Sequence, residues 1–178
     1  FHAEPIACAI CGPGLIFEKG AHLEYSDSDS ELALAVAELR NGSIVAVKGI
    51  GGYHLMCDAH DEVAVAKLRL RKHRPDKPLA VMFPMRGADG LDEVRKFVQL
   101  SADEAQCLLS PSRPILLLEK QSPCRLAANV APDLNEMGVF LPYSPLHELL
   151  LALGDIDFVI VDGMQGLANR NDDDEATY

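Results

Sequence analysis

Five short apolar runs alternate along the 178-residue chain with segments of helical periodicity. The runs occupy residues 44–47, 79–83, 115–118, 137–141 and 158–161. An aliphatic run of four or five residues is too short for a buried helix and is typical of a strand covered on both faces. The helical patterns lie near 28–39, 59–72, 89–98, 102–109 and 145–153. This alternation predicts an α/β fold with a largely covered sheet.

Two of the predicted helices carry more detailed signals. Ser28 and Glu31 have the spacing of a capping box, which predicts the start of the first helix. In the second helix, Val63, Ala66 and Leu70 recur at helical spacing. We therefore predict that these three side chains form the stripe that faces the core.

Charge, hydropathy and cysteine usage limit the classes of function. The net charge of −11 disfavours nucleic-acid binding, including binding of double-stranded RNA, which needs a basic surface. No apolar run approaches the roughly 18 residues that span a bilayer, and no secretory leader is visible, so we expect a cytoplasmic protein without membrane contact. Five cysteines are an odd number and do not suggest a disulfide framework. Because Phe1 is not a translation start, we interpret the chain as a piece of a longer protein.

A cluster of positive charge interrupts this acidic chain. Six of the sixteen basic residues fall within eleven positions, namely Lys67, Arg69, Arg71, Lys72, Arg74 and Lys77. Lys67 and Arg71 are four residues apart on the predicted helix. Like charges at this spacing destabilise a helix by about 0.2–0.5 kcal/mol. The cluster is either a solvated helix face or an anion site. Its position between a helix and a strand favours phosphate binding, for which arginine and lysine supply the donors.

A glycine-rich segment follows the first predicted strand. Residues 48–54 read KGIGGYH, which is neither a Walker A sequence nor a dinucleotide-binding motif. Glycines after a strand form a tight turn or allow backbone N–H groups to approach a ligand. Taken alone, the segment indicates only a turn.

Four segments together closely resemble the HypF family of hydrogenase-maturation carbamoyltransferases. They read KGIGGYHLMCDA at 48–59, LRLRKHRPDKPLAVM at 68–82, SPSRPILLL at 110–118 and GVFLPYSPLHELL at 138–150. The resemblance covers residues 1–161 in the same order. It implies that residues 1–25 are the tail of a zinc-finger-like region. It further implies that residues 26–178 form a YrdC-like domain cut short at its C-terminus, a twisted mixed sheet with flanking helices and a basic concave face.

The resemblance also implies an activity. HypF proteins make the carbamoyl group that becomes cyanide on the iron of nickel–iron hydrogenases. Their YrdC-like domain joins ATP and carbamate, which derives from carbamoyl phosphate, into carbamoyl adenylate and pyrophosphate. A further domain passes the carbamoyl group to a cysteine of the partner HypE. The implied cofactors are ATP and Mg²⁺, with Zn²⁺ in the intact protein.

The implied site residues follow from the same motifs. Lys72 and Arg74 match the Lys-x-Arg motif of YrdC-like domains and, with Lys48, are the expected catalytic residues. The expected nucleotide or phosphate contacts are Lys48, Gly51, Gly52, His54, Arg71, Lys72, Arg74, Lys77, Arg113, Tyr143 and Asp162. Tyr143 and His147 are either secondary contacts or packing residues. The reaction brings two anions together, so the site must neutralise charge and align the groups.

Two features depart from the family pattern. YrdC-like domains carry a Ser-x-Asn motif after a late strand, where this chain has Asp162 and Met164. A carboxylate repels a polyphosphate unless a metal ion bridges them. Cys8 and Cys11 resemble the last cysteine pair of the zinc-finger-like region, but structural zinc needs four ligands and the second pair is missing.

Two other functions stay open. Threonylcarbamoyl-adenylate synthesis for tRNA modification is a related reaction. It is disfavoured by the Cys8–Cys11 leader and by the sequence of residues 48–59, both of which resemble HypF. A nucleotide- or RNA-binding module with weakened catalysis is favoured only by Asp162 and Met164.

Overall fold

Six strands form one mixed sheet in the computed structural model, which describes residues 14–19, 28–49, 52–154 and 159–163. The strands are β1 (Val45–Lys48), β2 (Tyr53–Asp58), β3 (Ala80–Met82), β4 (Leu116–Glu119), β5 (Glu136–Phe140) and β6 (Val159–Gly163). The helices are α1 (Ser28–Arg40), α2 (Glu62–Lys72), α3 (Asp92–Phe97), α4 (Ala102–Leu109) and α5 (Pro145–Gly154). The predicted α/β class is confirmed.

The order of strands across the sheet is β1-β2-β6-β3-β5-β4. Only the β3–β5 pair is parallel among the pairs in the described part of the chain. The late strand β6 lies between β2 and β3, so Val161 is opposite Met56 on one side and Ala80 on the other. This central position of β6 brings the ends of distant sequence motifs to one end of the sheet.

Strand β2 was not among the predicted strands. Its residues Leu55, Met56 and Cys57 are all buried, so the segment lacks the alternation of a half-exposed strand. The turn predicted after the first strand joins β1 to β2 as an antiparallel hairpin, so only the second strand of the hairpin was missed. The Gly49 N–H donates to the Gly52 carbonyl at 2.7 Å across this turn.

The predicted core stripe of α2 is wrong. Val63 and Leu70 are 75% and 76% exposed, and Ala66 is exposed as well. The helix instead buries Ala64, Val65, Leu68 and Arg69. Successive residues are separated by about 100° around a helix. A register shifted by one residue therefore gives a second stripe of similar hydrophobicity, and this is the stripe that the helix buries. The helix also begins later than predicted, because Asp61 caps it by accepting from the Val63 and Ala64 N–H groups at 2.9 and 3.0 Å.

Two apolar layers cover the two faces of the sheet. One contains residues of α2, α3 and α4, with Leu68, Phe83 and Leu108 buried among them. The other contains α1 and α5, which cover Met56, Met82 and Phe140. The sheet is therefore covered on both faces, as the uninterrupted apolar runs predicted.

The first helix contacts the preceding chain through the two residues predicted as a capping box. The Ser28 hydroxyl accepts from the Leu15 N–H at 3.2 Å, and the Glu31 carboxylate accepts from the Phe17 N–H. Residues 14–19, which the resemblance assigned to the leader, thus pack on α1. A reciprocal capping box is found at α4, between Ser101 and Glu104. In the described ranges, no helix is long and apolar enough to cross a bilayer.

Candidate functional site

Three of the motifs singled out in the sequence converge at one end of the sheet. The register places His54, just after the glycine turn, opposite Gly163 at the end of β6. Ala80 starts β3 on the other side of β6, so the loop that precedes it leaves the sheet at this same end. The glycine turn, the Lys-x-Arg loop and the end of β6 are therefore neighbours, although up to about a hundred residues separate them in sequence.

The Lys-x-Arg loop forms a pocket of about 410 Å³. Its lining residues are Lys72, His73, Arg74, Pro75, Asp76 and Lys77. Three cations and one carboxylate give this lining an excess of positive charge in a chain of net charge −11. Lys72 and Arg74 are partly buried, whereas Lys77 is exposed. An open, positively charged loop of this kind suits a polyphosphate.

The shape of the loop depends on a buried arginine that the sequence analysis counted only as a cation. Arg69 is 6% exposed, and its Nη1 donates to the carbonyls of Arg74, Pro75 and Lys77 at 2.8, 3.1 and 3.0 Å. Its other donors reach the carbonyls of Asn129 and Val130. Arg69 is therefore a positioning residue. Arg69 lies on the same buried face of α2 as Val65 and Leu68. The helical spacing of these residues was the sequence signal that could have identified Arg69 as buried.

Two further predicted cations lie outside the pocket lining. Arg71 is exposed on α2. Lys48 is exposed on β1, and its Nζ lies 5.9 Å from the centre of the Tyr53 ring. Neighbouring side chains of a strand alternate between the two faces of the sheet. The buried Val47 belongs to the α1–α5 face, so Lys48 lies on the other face, which α2 covers. His54 belongs to the other face, so the structure does not bring Lys48 and His54 together.

His54, Tyr143 and His147 form a cluster on the α1–α5 face of the sheet. The Tyr143 hydroxyl lies 3.1 Å from His54 Nε2. The rings of Tyr143 and His147 are 4.5 Å apart edge to face, and those of His54 and His147 are 5.7 Å apart. His147 is 1% exposed, and neither of its ring nitrogens has a hydrogen-bond partner in the described part of the chain.

Burial controls the protonation of this cluster. It lowers the pKa of His147 to about 4, with a smaller contribution from repulsion by His54. Burial also lowers the pKa of His54 and raises the pKa of Tyr143. All three groups are therefore uncharged near neutral pH. We call these three residues the neutral cluster.

The remaining predicted site residues fall elsewhere. Arg113 precedes β4 at the far edge of the sheet, and its Nη1 is buried. Because β4 runs antiparallel to β5 and hence to β3, Arg113 and the Lys-x-Arg loop leave the sheet at opposite ends. Asp162 lies within β6, opposite Leu55. Gly52 ends the hairpin turn, while Gly51, Cys8, Cys11 and Met164 lie outside the described residues.

Among the described residues, no three His, Cys, Asp or Glu side chains lie close enough to share a metal ion. Cys57, Cys107 and Cys124 are free thiols there, and burial raises the pKa of the Cys57 thiol to about 12. The described surface thus offers no carboxylate cage for Mg²⁺.

Comparison with known proteins agrees with this geometry. The model of the Sua5/YciO/YrdC family, described as telomere recombination, matches residues 37–161. The chain belongs to this family. A carbamoyltransferase HypF of Rhodobacter capsulatus is 40% identical over 177 residues, which are 99% of this chain and 22% of that protein. The chain therefore spans about a fifth of the length of this curated relative.

Solved structures give the same family. T. kodakarensis HypF superposes with a TM-score of 0.80 at 38% identity, covering 91% of this chain and 20% of that one. A full-length HypF described as phosphate- and nucleotide-bound has a TM-score of 0.76 at 41% identity, covering 90% and 20%. P. abyssi Sua5 complexed with L-threonine has a TM-score of 0.60 at 20% identity, covering 78% and 39%, which shows the shared fold alone. The predicted resemblance and the YrdC-like fold are confirmed.

Proposed function

We propose that this YrdC-like domain binds ATP and joins its adenylyl group to carbamate, as the first step of a HypF-type carbamoyl transfer. The observation that carries the proposal is the open pocket of Lys72, Arg74 and Lys77, held in shape by Arg69. The relatives are carbamoyltransferases by name, and one of them is described as phosphate- and nucleotide-bound. Both facts support a nucleotide-dependent carbamoyl reaction.

The proposed step is a substitution at phosphorus. A carbamate oxygen forms a bond to the α-phosphorus of ATP, and the bond from that phosphorus to the bridging oxygen of the β-phosphate breaks. Pyrophosphate leaves with the electron pair, and carbamoyl adenylate remains. No side chain has to act as a nucleophile. The protein has to bring two anions together and stabilise charge on the leaving group, for which Lys72, Arg74 and Lys77 provide donors.

The position of the pocket makes these cations necessary. The pocket follows the C-terminal end of α2, where the helix dipole carries partial negative charge and disfavours a phosphate. Lys72 and Arg74 oppose this field. With no carboxylate cage among the described residues, Mg²⁺ would be held mainly by the nucleotide phosphates. When bound there, the ion neutralises charge on the triphosphate.

In a longer HypF-type protein, the carbamoyl group would pass to a HypE-type acceptor through a domain outside this chain. This assignment, the role in cyanide-ligand synthesis and the zinc site of Cys8 and Cys11 rest on the resemblance.

Binding and exchange measurements test the proposal. In calorimetry with ATP and Mg²⁺, Lys72→Ala and Arg74→Ala should each weaken binding by about 1.5–3 kcal/mol, the worth of a charged hydrogen bond. Lys67→Ala is the matched control, since it removes the same charge from the exposed side of α2 outside the pocket. ATP–pyrophosphate exchange should depend on added ammonium carbamate. If the pocket variants bind ATP as the control does, the pocket is not the phosphate site.

A further inference from the structure

We propose that the neutral cluster of His54, Tyr143 and His147 is the subsite for the uncharged carbamoyl end of the reaction, separate from the phosphate pocket. This inference rests on the proposed function and assigns a role to residues outside the Lys-x-Arg loop. His147 carries the argument, because two buried ring nitrogens stay without a hydrogen-bond partner in the described part of the chain. Buried polar atoms nearly always have a hydrogen-bond partner, so such a pair points to a water molecule or a ligand that completes the site.

The chemistry of the cluster fits a carbamoyl group. A neutral imidazole offers one donor and one acceptor, and a tyrosine hydroxyl offers both. A carbamoyl group presents an NH₂ donor and a carbonyl acceptor in one plane. Tyr143 and His147 meet edge to face, and His54 is within hydrogen-bond distance of the Tyr143 hydroxyl. The three side chains thus combine donors and acceptors of the kind that a small planar ligand requires.

The same features select against a ligand that brings an additional charged group into the cluster. The cluster contains no cation at neutral pH, because burial favours the uncharged form of both histidines. A phosphate would lose its hydration there without gaining an opposite charge. An amino-acid substituent on the carbamate would bring a carboxylate with the same difficulty. Both carbamates are anions at the oxygen that attacks ATP, but only the threonine-derived one carries a second carboxylate. The neutral cluster therefore favours plain carbamate.

The position of the cluster suits a ligand that also occupies the phosphate pocket. His54 lies on β2 and is level with Gly163 of β6, at the sheet end from which the Lys-x-Arg loop enters β3. One strand separates β2 from β3, which corresponds to about 10 Å between the two strands. A single bound nucleotide would extend around this end of the sheet, because α2 and the neutral cluster lie on opposite faces. Phosphate and carbamoyl ends would then be recognised by charged and uncharged groups, respectively.

Tyr143→Phe tests the inference with the smallest change, since only the hydroxyl is lost. In ATP–pyrophosphate exchange with ammonium carbamate, we expect the KM for carbamate to rise at least tenfold. ATP affinity in calorimetry should stay within twofold of the parent. Tyr53→Phe is the matched control, because Tyr53 is 47% exposed and lies on the other face of the sheet. Its KM for carbamate should not change.

His147→Leu provides a second, independent variant. It removes both ring nitrogens and leaves a side chain of similar size, so the melting temperature should be unchanged or higher while the KM for carbamate rises. If both variants keep the parent KM while ATP binding and exchange persist, the inference is wrong and the proposed function stands. If L-threonine with bicarbonate supports exchange better than ammonium carbamate does, the neutral cluster is not a carbamate subsite. Loss of ATP binding in the parent protein would instead contradict the proposed function itself.

Discussion

The guanidinium Nη1 of Arg69 lies 2.8 Å from the carbonyl oxygen of Arg74, so one arginine of the basic cluster fixes the backbone of another. The same nitrogen also binds the carbonyls of Pro75 and Lys77. A guanidinium has five N–H donors in a rigid plane and can hold several carbonyls at once. Two residues that look equivalent in sequence therefore have different roles, one inside the fold and one at the pocket.

Arg69→Met should destabilise the protein by about 3 kcal/mol, because five backbone carbonyls lose a charged donor. The measurement is the free energy of unfolding from urea denaturation. Arg71→Met is the matched control, since Arg71 is exposed two residues away, and its effect should stay within about 0.5 kcal/mol. Equal effects of the two substitutions would contradict the role assigned to Arg69.

The rotation of α2 can be tested with two leucines. Leu68 is fully buried and Leu70 is 76% exposed. Leu68→Ala should cost about 2–5 kcal/mol through lost packing and a cavity, while Leu70→Ala should cost less than about 0.5 kcal/mol. Urea denaturation of both variants measures the difference. If Leu70→Ala were more destabilising than Leu68→Ala, the core stripe predicted from the sequence would be correct after all.

The buried His147 should make the fold sensitive to acid. Its pKa is about 4 in the folded protein and about 6.5 in the unfolded chain, which therefore binds more protons between these values. Stability is complete above about pH 6.5 and falls as the pH drops toward 4. The loss attributable to His147 is about 3 kcal/mol at most.

His147→Leu isolates this contribution from that of the carboxylates. The stability of the variant relative to the parent should grow as the pH is lowered from 7 to 4.5, in paired urea denaturations. A difference that is constant with pH would mean that His147 has an ordinary pKa.

Asp162 lies in β6 beside the strand β2 that carries His54, near the end of the sheet at which the Lys-x-Arg loop enters β3. The family pattern has Ser and Asn where this chain has Asp162 and Met164. A carboxylate a few ångströms from phosphate oxygens repels them by about 1 kcal/mol or more at surface dielectric. Asp162→Ser with Met164→Asn should therefore tighten ATP binding and reduce its Mg²⁺ dependence, as measured by calorimetry. Weaker binding by the double variant would identify Asp162 as a metal-bridging group.

The fold class and the family could be predicted from the sequence, and so could the position of the Lys-x-Arg loop. Uninterrupted apolar runs such as 79–83 are typical of a covered strand, and the Lys-x-Arg motif is local in sequence. Such signals depend on covalent neighbours, so they can be recognised before the chain folds. The missed strand β2 shows the limit, since Leu55, Met56 and Cys57 carry no periodicity of their own.

Only the tertiary structure decided which side chains meet. Two apolar stripes competed on α2, and packing against the sheet selected the one that buries Leu68 with Arg69. His54 and Tyr143 are 89 residues apart and come together because β2, β5 and α5 share one covered face. Such contacts depend on strand order and on which face each residue takes. Those properties are settled by burial of the whole sheet, not by any local run of residues.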